Sequence, residues 1–570
     1  MFSMRRFQGR RLPSNRLKAN SRCIRALLAS AVLALFAVIT AAQAEDFPPF
    51  PEPAIGPFPD TKNMTLLSQL IPEEIGAVTP RAGVLLNDIW GWTSPNGEDY
   101  ALVGTGDGMS IVRVTDPKNP VHIGIMPTAE PDDFANLWGD VAVYTAKRPD
   151  DDDDGHQSYA HSTWWRGGDD DDDDTVSYAY YTTEAGGVGI NILELNQLDD
   201  MGPAPHPSFP IFPDAVFDAG GYNSAHNIFV NQKTGFAYVL GVELTDGETA
   251  CDGQPFHPSR FNTLILDLKP NPLNPEIVAC LADFGEHDIY VVNYWGPDRD
   301  YRGREIAFVF DGRDKDAPSR GGQRKDDTPG EIVGGTTEIW DVTDKDDIKV
   351  ISSFTVPGIC FSHQGWTSSG RHEFLLINDE LDELRDVEEE DGFFRTNFCG
   401  TDAPPGTISN PGVYVVNTRD LDNPFLQERF SVESPGDNDH NFIRKGNKLY
   451  WAVYNAGTRV LKMEKRRGEL QLNEIARLDS EPRMPPPFND QWGIFPFKWR
   501  RTIIASDIVN GLMVMRLGGD HLMDHDDWIS STSATAASAP RTNFATTVMS
   551  PEERAAARAA RIEYLKSRLR

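Results

Sequence analysis

The sequence lacks the short motifs that mark several large classes of enzyme and binding protein. It contains no GxSxG stretch, no CxxC pair and no glycine-rich phosphate loop ahead of a helix. Convincing long helices are also absent from its central part. These absences disfavour serine-nucleophile hydrolases, zinc-ribbon domains and nucleotide-binding folds that use a phosphate loop.

Basic residues are few relative to acidic ones. The chain of 570 residues has 54 Lys and Arg against 86 Asp and Glu, which gives a formal net charge of -32. Eight of the basic residues lie within the first 44 positions, which carry no acidic residue, so the remainder has a net charge of -40. Such a surface repels phosphate backbones and attracts cations, so we expect no nucleic-acid partner.

The first 44 residues have the pattern of a secretory signal peptide. A basic stretch, Arg5 to Arg25, precedes an apolar run, Ala26 to Thr40, and small residues lead to a cleavage site between Ala44 and Glu45. The apolar run is short for a membrane span, and no second such run follows. We therefore expect an exported protein, in the periplasm, at the envelope surface or outside the cell, without a transmembrane anchor. A retained signal anchor is the alternative.

Cysteine is scarce, and its distribution fits an oxidising compartment. Outside the leader the cysteines are even in number. Their spacing favours the pairs Cys251 with Cys280 and Cys360 with Cys399, because each pair closes a loop within one sequence repeat. A zinc site is the competing interpretation, which the absence of a CxxC pair disfavours.

Internal repetition predicts the fold. Strand-like runs that end in Asp-Pro, Asn-Pro or related turns recur at Ser110–Pro117, Thr263–Leu268, Thr337–Asp344, Val413–Asn417 and Leu512–Leu517. Seven dipeptides open an apolar strand: Trp90-Gly91, Trp138-Gly139, His226-Asn227, His287-Asp288, His363-Gln364, His440-Asn441 and Trp492-Gly493. The sequence therefore predicts an all-β protein, a seven-bladed β-propeller with four strands in each blade.

The last repeat is one strand short, and the beginning of the mature chain offers the missing strand. The apolar segment Met64–Ser68 stands outside every repeat, so we expect this N-terminal strand to close the last blade. The predicted organisation is a Pro-rich extended segment at 45–61, the propeller at 62–517, a linker at 518–549 and a short basic helical tail at 550–570.

Several of these segments together resemble the choice-of-anchor B family, whose propellers contain LVIVD repeats. The segments that carry the resemblance are Asn87–Trp92, Ala225–Ile228, His287-Asp288, Ser362–Trp366, Asn378–Glu383, Asp439–Asn441, Trp492-Gly493 and Ser506–Ile508. The likeness covers roughly residues 62–517. It implies an exported surface or envelope protein and no particular reaction. The chain departs from the family in showing no sorting motif and no C-terminal span.

Four consecutive openings carry histidine. Equivalent strand positions in a propeller lie at the same radius and height, so these side chains should form an arc at one end of the central channel. The arc consists of His226, His287, His363 and His440, and the ring is completed by Trp90, Trp138 and Trp492. Converging imidazoles suit a divalent transition-metal ion, with Asp288 and Asp439 supporting them. The alternative is structural, with each histidine hydrogen-bonded within or between blades.

Polar or acidic side chains end the strand that follows each opening. These residues are Asp107, Glu184, Glu243, Asp311, Asp379, Asn455 and Asp507. Carboxylates beside imidazoles orient the histidine tautomer or act as acid and base, and turn chemistry explains them equally well. Asp379 and Glu380 are the candidate catalytic residues, because they fall in the densest part of the resemblance.

Two aspartate runs interrupt the second repeat. Asp150, Asp152 and Asp154, with the glycine that follows, match the first half of a calcium-binding loop, but position twelve is His161 rather than glutamate. Like charges at this density usually form a solvated loop, which is the alternative interpretation.

Two functional hypotheses follow from these patterns. The first is an exported, monomeric binding or scaffold module that holds a protein, glycan or small ligand on a propeller face, with a divalent metal ion as the candidate cofactor. The second is a metal-dependent hydrolase, in which the histidine arc holds the ion and Asp379 or Glu380 acts as the base. We favour the first, because a propeller fold alone supports no reaction.

Overall fold

The protein is a seven-bladed β-propeller. A computed structural model of the chain describes residues 56, 58, 60–78, 85–128, 138–147, 175–244, 262–281, 286–311, 335–356, 359, 361–380, 410–434, 437–480, 490–498 and 501–518. Seven small antiparallel sheets form a ring, which confirms the predicted fold class and the number of blades. None of the helices in this part of the chain combines the length and the hydrophobicity that a membrane span requires.

The first strands of the chain precede blade 1, and the next three blades follow in sequence order. The two leading strands are β1 (Thr61–Lys62) and β2 (Met64–Leu70). Blade 1 comprises β3 (Leu86–Thr93), β4 (Asp99–Thr105), β5 (Gly108–Arg113) and β6 (Val121–Pro127). Blade 2 comprises β7 (Gly139–Lys147), β8 (Thr175–Thr183), β9 (Ile190–Glu194) and β10 (Ala215–Phe217). A separate two-stranded sheet pairs β11 (Tyr222–Ser224) with β14 (Glu243–Leu244), and blade 3 comprises β12 (Asn227–Asn231), β13 (Phe236–Leu240), β15 (Thr263–Asp267) and β16 (Glu276–Leu281).

The remaining four blades complete the ring. Blade 4 comprises β17 (Glu286–Asn293), β18 (Glu305–Asp311), β19 (Thr336–Asp341) and β20 (Lys349–Phe354). Blade 5 comprises β21 (Ser362–Thr367), β22 (Phe374–Asp379), β23 (Gly412–Asn417) and β24 (Phe425–Ser431). Blade 6 comprises β25 (Phe442–Lys445), β26 (Lys448–Val453), β27 (Gly457–Arg466) and β28 (Glu469–Leu478). Blade 7 contains β29 (Gln491–Pro496), β30 (Thr502–Asp507) and β31 (Gly511–Leu517). Short 3₁₀ helices lie at Pro72–Ile75, Leu195–Asp200, Ala219–Gly221 and Tyr454–Ala456.

The N-terminal strand closes the ring, as the sequence predicts. Strand β2 pairs antiparallel with β31, from Met64 opposite Leu517 to Leu70 opposite Leu512, and supplies the fourth strand of blade 7. The sequence did not predict β1, which pairs with β28 and adds a fifth strand to blade 6. One short segment therefore joins two neighbouring blades and covers the edges that both would otherwise expose.

Apolar side chains from neighbouring blades pack against each other around the ring. Between blades 3 and 4, for example, Tyr238 and Ile265 belong to the same buried cluster as Ile289 and Trp340. Strands such as β13 and β18 are rich in β-branched and aromatic residues, which pack well on both faces of a buried sheet. The core is therefore distributed over the interfaces between blades rather than collected at one centre.

The recurring turn after the third strand has a local chemical cause. The side chain of the residue near the end of that strand accepts a hydrogen bond from the backbone N–H two residues later, which forms an Asx turn. The pairs are Asp267 with Lys269 at 3.0 Å, Asp341 with Thr343 at 3.1 Å and Asn417 with Arg419 at 3.2 Å. This turn explains why Asp or Asn recurs at the end of the predicted strands.

His372 makes the stability of the propeller sensitive to acid. It is buried beside Thr367, with 3.0 Å between Nδ1 and the hydroxyl oxygen. Burial, and to a smaller extent the Arg444 cation, lowers the pKa of His372 from 6.5 to about 4. The unfolded chain therefore binds more protons than the folded chain between these pH values. Above pH 6.5 this group does not reduce the free energy of unfolding. As the pH falls below 6.5, the free energy of unfolding decreases, and at pH 4 this group should account for a loss of about 3 kcal/mol.

The replacement His372→Asn should remove this contribution. Asparagine does not titrate, and it tolerates the positive φ of 51° at this position. Urea unfolding at pH 7.5 and pH 4.5 should show a smaller loss of stability in the variant than in the parent protein. An identical loss in both proteins would show that His372 does not contribute.

Several sequence predictions concern residues outside the described part of the chain. They are the signal peptide with its cleavage site between Ala44 and Glu45, the tail at 550–570, the aspartates Asp150, Asp152 and Asp154, and the cysteines Cys251, Cys360 and Cys399. Cys280 lies half-buried on β16. The disulfide pairs Cys251 with Cys280 and Cys360 with Cys399 therefore stay predictions.

Candidate functional site

β-Bulges set the direction of side chains at the start of the innermost strands. In blade 4 the register of β17 shifts between Glu286 and Asp288, which places His287 in the bulge. An equivalent shift at the start of β21 in blade 5 includes His363. A bulge takes a residue out of the normal alternation of a strand and re-aims its side chain. Both imidazoles line the central cavity.

The four predicted histidines lie side by side around one end of the channel. The ring centroids of His226 and His287 are 4.5 Å apart, those of His287 and His363 are 4.4 Å apart, and those of His363 and His440 are 4.6 Å apart. All four line a cavity of about 100 Å³, together with Glu380. The imidazoles therefore converge, as the repeat register predicts.

Oxygen acceptors hold three of the imidazoles by Nδ1. The partners are Glu184 Oε1 for His226 at 2.6 Å, the carbonyl oxygen of His363 for His287 at 3.2 Å, and the carbonyl oxygen of Trp492 for His440 at 2.5 Å. A carbonyl or carboxylate oxygen only accepts, so each Nδ1 carries the proton of its neutral ring. The Nε2 atoms are then left with lone pairs.

Two of these lone pairs face each other. Nε2 of His226 lies 2.8 Å from Nε2 of His287. While both rings are neutral and carry the proton on Nδ1, neither Nε2 atom has a proton to donate and the contact is repulsive. A second proton on His226, which pairs with Glu184, or a metal cation between the rings makes the contact favourable. Two nitrogen ligands of a metal ion, each about 2.0–2.1 Å from it, lie about 2.9 Å apart when the angle at the ion is about 90°, and about 3.4 Å apart in a tetrahedral site. The geometry therefore fits a cation between the two rings.

Glu380 belongs to the same group of ligand atoms. Its Oε2 lies 3.6 Å from Nε2 of His363, and its Oε1 lies 3.7 Å from Nε2 of His440. The hydroxyl of Tyr454 donates a hydrogen bond of 2.7 Å to Oε1 of Glu380. Ligand atoms of His287, His363 and Glu380 all lie within 4.8 Å of one another. The carboxylate completes a donor set of imidazole nitrogen and oxygen.

Burial sets the charge of these groups. Burial, with the neighbouring imidazoles as a smaller cause, holds the pKa of His363 well below its usual range. Burial also lowers the pKa of His440 to about 3. Both rings are therefore neutral at physiological pH, which is the form that binds a metal ion. Burial raises the pKa of Glu380 to about 7, and a cation in the cavity would favour its ionised form.

The other predicted carboxylates bond to backbone amides. Asp379 accepts a hydrogen bond from the N–H of Phe361 at 3.0 Å, and Asp439 accepts one from Gly412 at 2.8 Å. Asp288 accepts one from the N–H of the next residue at 2.6 Å, although it also lines the cavity. These bonds indicate that the three carboxylates hold the chain at turns and strand starts. Glu184 is the member of the strand-end set that contacts an imidazole.

All three predicted tryptophans line the same cavity as the histidines, and Trp90 lies off the predicted register. Trp492 lies beside His440 at the start of β29, with 4.9 Å between the ring centroids. Trp90 lies further along its strand, opposite Leu102. Strand β7 pairs without a bulge from Gly139 onward, and Trp138 comes just before it.

Comparison with known proteins leaves the family open. No family model matches the sequence, and no curated protein matches it. Among solved structures, the chain is similar to a hydrazine synthase of Kuenenia stuttgartiensis, with 11% identity and a TM-score of 0.38 over 74% of this chain and 94% of that one. It is also similar to a hypothetical selenium-binding protein from Sulfolobus tokodaii, with 11% identity and a TM-score of 0.37 over 69% and 82% of the two chains. A periplasmic gluconolactonase of Pseudomonas aeruginosa aligns with 12% identity and a TM-score of 0.34 over 57% and 72%.

Proposed function

We propose that this propeller is a metal-binding protein that holds one divalent transition-metal ion at the end of its central channel. The observation that carries the proposal is the distance of 2.8 Å between Nε2 of His226 and Nε2 of His287. The Nδ1 atoms of both rings are held by acceptors, so a metal cation between the rings would make this contact favourable, and a proton on Nε2 of His226, which pairs with Glu184, is the alternative.

The type of ligand points to the type of ion. Neutral imidazoles with one carboxylate suit zinc, iron, cobalt, nickel or copper, whereas calcium and magnesium prefer a shell of oxygen ligands. Hydrogen bonds from the far side of each ring are typical of histidines that bind metal, because they fix the tautomer and the ring orientation. Glu184 and the carbonyl oxygens of His363 and Trp492 act in this way here.

We further infer that the protein works outside the cytoplasm as a binding module. The inference is supported by the basic and apolar pattern of residues 1–44 and by the resemblance to the choice-of-anchor B family. Strong acidity in the rest of the chain favours cations over nucleic acid. The partner is a small ligand, protein or glycan at a propeller face.

Replacement of Glu380 by glutamine tests the donor set. The amide keeps the shape of the side chain and loses the charge, so we expect affinity for Zn²⁺ or Co²⁺ to fall by about 10- to 100-fold. The comparison variant is Tyr454→Phe, which removes the hydrogen bond to Glu380 and leaves every ligand atom in place, so its affinity should fall less than that of Glu380→Gln. Calorimetric titration of chelator-treated protein measures both. An unchanged affinity of Glu380→Gln for the metal ion would show that the carboxylate of Glu380 is not a ligand.

A metal-dependent hydrolase is the second candidate. The observation that favours it is the position of Glu380, whose carboxylate oxygens lie 3.6 Å and 3.7 Å from Nε2 of His363 and His440, where a general base could act on water in the cavity. Hydrolysis of uncharged esters in proportion to the amount of bound metal would support this activity. If protein that is fully loaded with metal hydrolyses no ester, the hydrolase hypothesis is wrong and the metal-binding function remains.

A further inference from the structure

The last two histidines of the arc belong to neighbouring blades. His363 lies at the start of blade 5, and His440 comes just before β25 of blade 6. The two blades are separate sheets, so the strand pairing within either blade does not fix one histidine relative to the other. Glu380 nevertheless lies near both, 3.6 Å from Nε2 of His363 and 3.7 Å from Nε2 of His440. Contacts that cross from one blade to the other therefore set this spacing.

Asn378 on β22 makes the first of these contacts. Its Nδ2 donates a hydrogen bond of 2.5 Å to the carbonyl oxygen of His440, and its Oδ1 accepts one of 3.0 Å from the N–H of Gln364. The side chain is fully buried. One amide therefore ties the main chain beside His363 to the main chain of His440.

The side chain of Gln364 makes the second contact. Its Oε1 accepts a hydrogen bond of 2.7 Å from the N–H of Phe442, two residues beyond His440. The ring of His440 is itself held by the bond from its Nδ1 to the carbonyl oxygen of Trp492. Asn378 and Gln364 together form what we call the amide clamp, which holds the main chain at His440 and again two residues later.

The fold itself does not require asparagine at position 378. Asn378 is the residue before the last of β22, and the equivalent residue of β18 in blade 4 is Phe310. Both side chains are buried. A buried amide costs free energy unless its hydrogen bonds are made, whereas an apolar side chain carries no such cost. The bond to His440 therefore explains the asparagine better than the packing of the blade does.

We propose that the two residues of the amide clamp are positioning residues of the metal centre, which hold His440 at the distance from His363 and Glu380 that an ion requires. This inference rests on the proposed metal centre. Asn378 is not among the described residues that line the cavity, so it acts through His440 rather than as a ligand. Nitrogen ligands bind at about 2.0–2.1 Å, so a small displacement of His440 weakens or removes its bond to the ion.

The variant Asn378→Leu tests the clamp. Leucine places an apolar side chain where blade 4 has Phe310, and it loses both hydrogen bonds of the amide. We expect the affinity of the chelator-treated, full mature protein for Co²⁺ to fall by about 10- to 100-fold. The visible absorption of bound Co²⁺ should also change, because the ion loses a well-placed imidazole.

The matched control is Asn231→Leu. Asn231 is also a buried amide that joins two blades, since it donates a hydrogen bond of 2.7 Å to Glu305 of blade 4 and accepts one of 3.2 Å from the N–H of Lys233. It is the last residue of β12, and it is not among the described residues that line the cavity. This variant should lose stability in urea and keep the Co²⁺ affinity and spectrum of the parent protein.

A second background separates positioning from a general loss of structure. In His440→Ala the clamp has no imidazole to position, so the addition of Asn378→Leu should change the Co²⁺ affinity by less than about 2-fold. Parental affinity and spectrum in Asn378→Leu, or an equal loss of affinity in both backgrounds, would overturn the proposal while the metal centre stands. Gln364→Met, which removes the bond to Phe442, should show the same dependence on His440 and replaces Asn378→Leu if that variant does not fold. A parent protein that takes up no cobalt would refute the metal centre and the role of the clamp together.

Discussion

Replacement of His287 by alanine is expected to abolish tight metal binding. His287 lies between His226 and His363 in the arc, and its Nε2 faces that of His226 at 2.8 Å. Loss of a residue that only supports a ligand costs about 10- to 100-fold in affinity, so loss of this central ligand should cost more than about 100-fold. The metal content of the purified variant, measured by mass spectrometry, should fall from one ion per chain to almost none.

The same variant has a second expected property, which separates a ligand from a structural histidine. Without metal, His287→Ala removes a contact between two Nε2 atoms that is repulsive while both rings are neutral, so the metal-free variant should then resist urea at least as well as the metal-free parent. The control is His206→Ala, a half-buried histidine in the segment between β9 and β10, which should keep its metal. Full metal content in His287→Ala, or a large loss of stability without metal, would contradict the proposed role.

Deletion of residues 45–70 should destabilise the whole ring. The deletion removes β2 from blade 7 and β1 from blade 6, and it removes Met64 from the buried cluster between these blades. Two sheet edges then become exposed, and the last blade loses its outer strand. We expect the melting temperature to fall by more than about 10 °C, or cooperative unfolding to be lost.

Deletion of residues 530–570 is the control for the first truncation. Those residues supply none of the described strands, so the melting temperature should change by less than about 2 °C. Equal melting temperatures for the two truncated proteins and the full mature chain would show that the N-terminal strand does not close the ring.

The blade number was predictable because it depends on local patterns. Each repeat has an apolar strand that opens with a distinctive dipeptide, and in several repeats a later strand ends in an Asx turn, such as Asp267 with Lys269. These signals survive divergence of the rest of the repeat, since turn chemistry and strand alternation are properties of short segments. The strand at Met64 was recognisable because it belongs to no repeat and the last repeat lacks a fourth strand.

The details of the site depend on features that spacing alone does not show. In blade 1 the bulge lies between Leu86 and Ile89. Trp90 therefore lies beyond the bulge, further along the strand than the Trp-Gly pattern of the repeat predicts. Blade 2 has no bulge where β7 begins, and Trp138 comes just before the strand, as His226 comes just before β12. A bulge shifts the phase of side chains without leaving a clear mark in composition. The sequence did not indicate Tyr454, because this residue lies in a short 3₁₀ helix of blade 6 and contacts Glu380 at the end of a strand of blade 5.

The candidate carboxylates show a similar limit. Glu380 and Asp379 are adjacent in sequence, yet Glu380 contacts the imidazoles and Asp379 is buried against the backbone of Phe361. Which of two neighbouring acids faces a channel depends on the end of the strand, where the regular alternation stops. The sequence therefore located the region of the site, and the structure was needed to identify the carboxylate that faces the ion.

The most direct test of the account is the coordination of metal in the purified, full mature protein. X-ray absorption spectroscopy, combined with metal analysis, measures both the amount of ion and its ligands. The account predicts one transition-metal ion per chain, with several imidazole nitrogens about 2.0–2.1 Å from it. Protein that takes up no transition metal, or that holds an ion through oxygen ligands alone, would contradict the proposed centre of His226, His287, His363, His440 and Glu380.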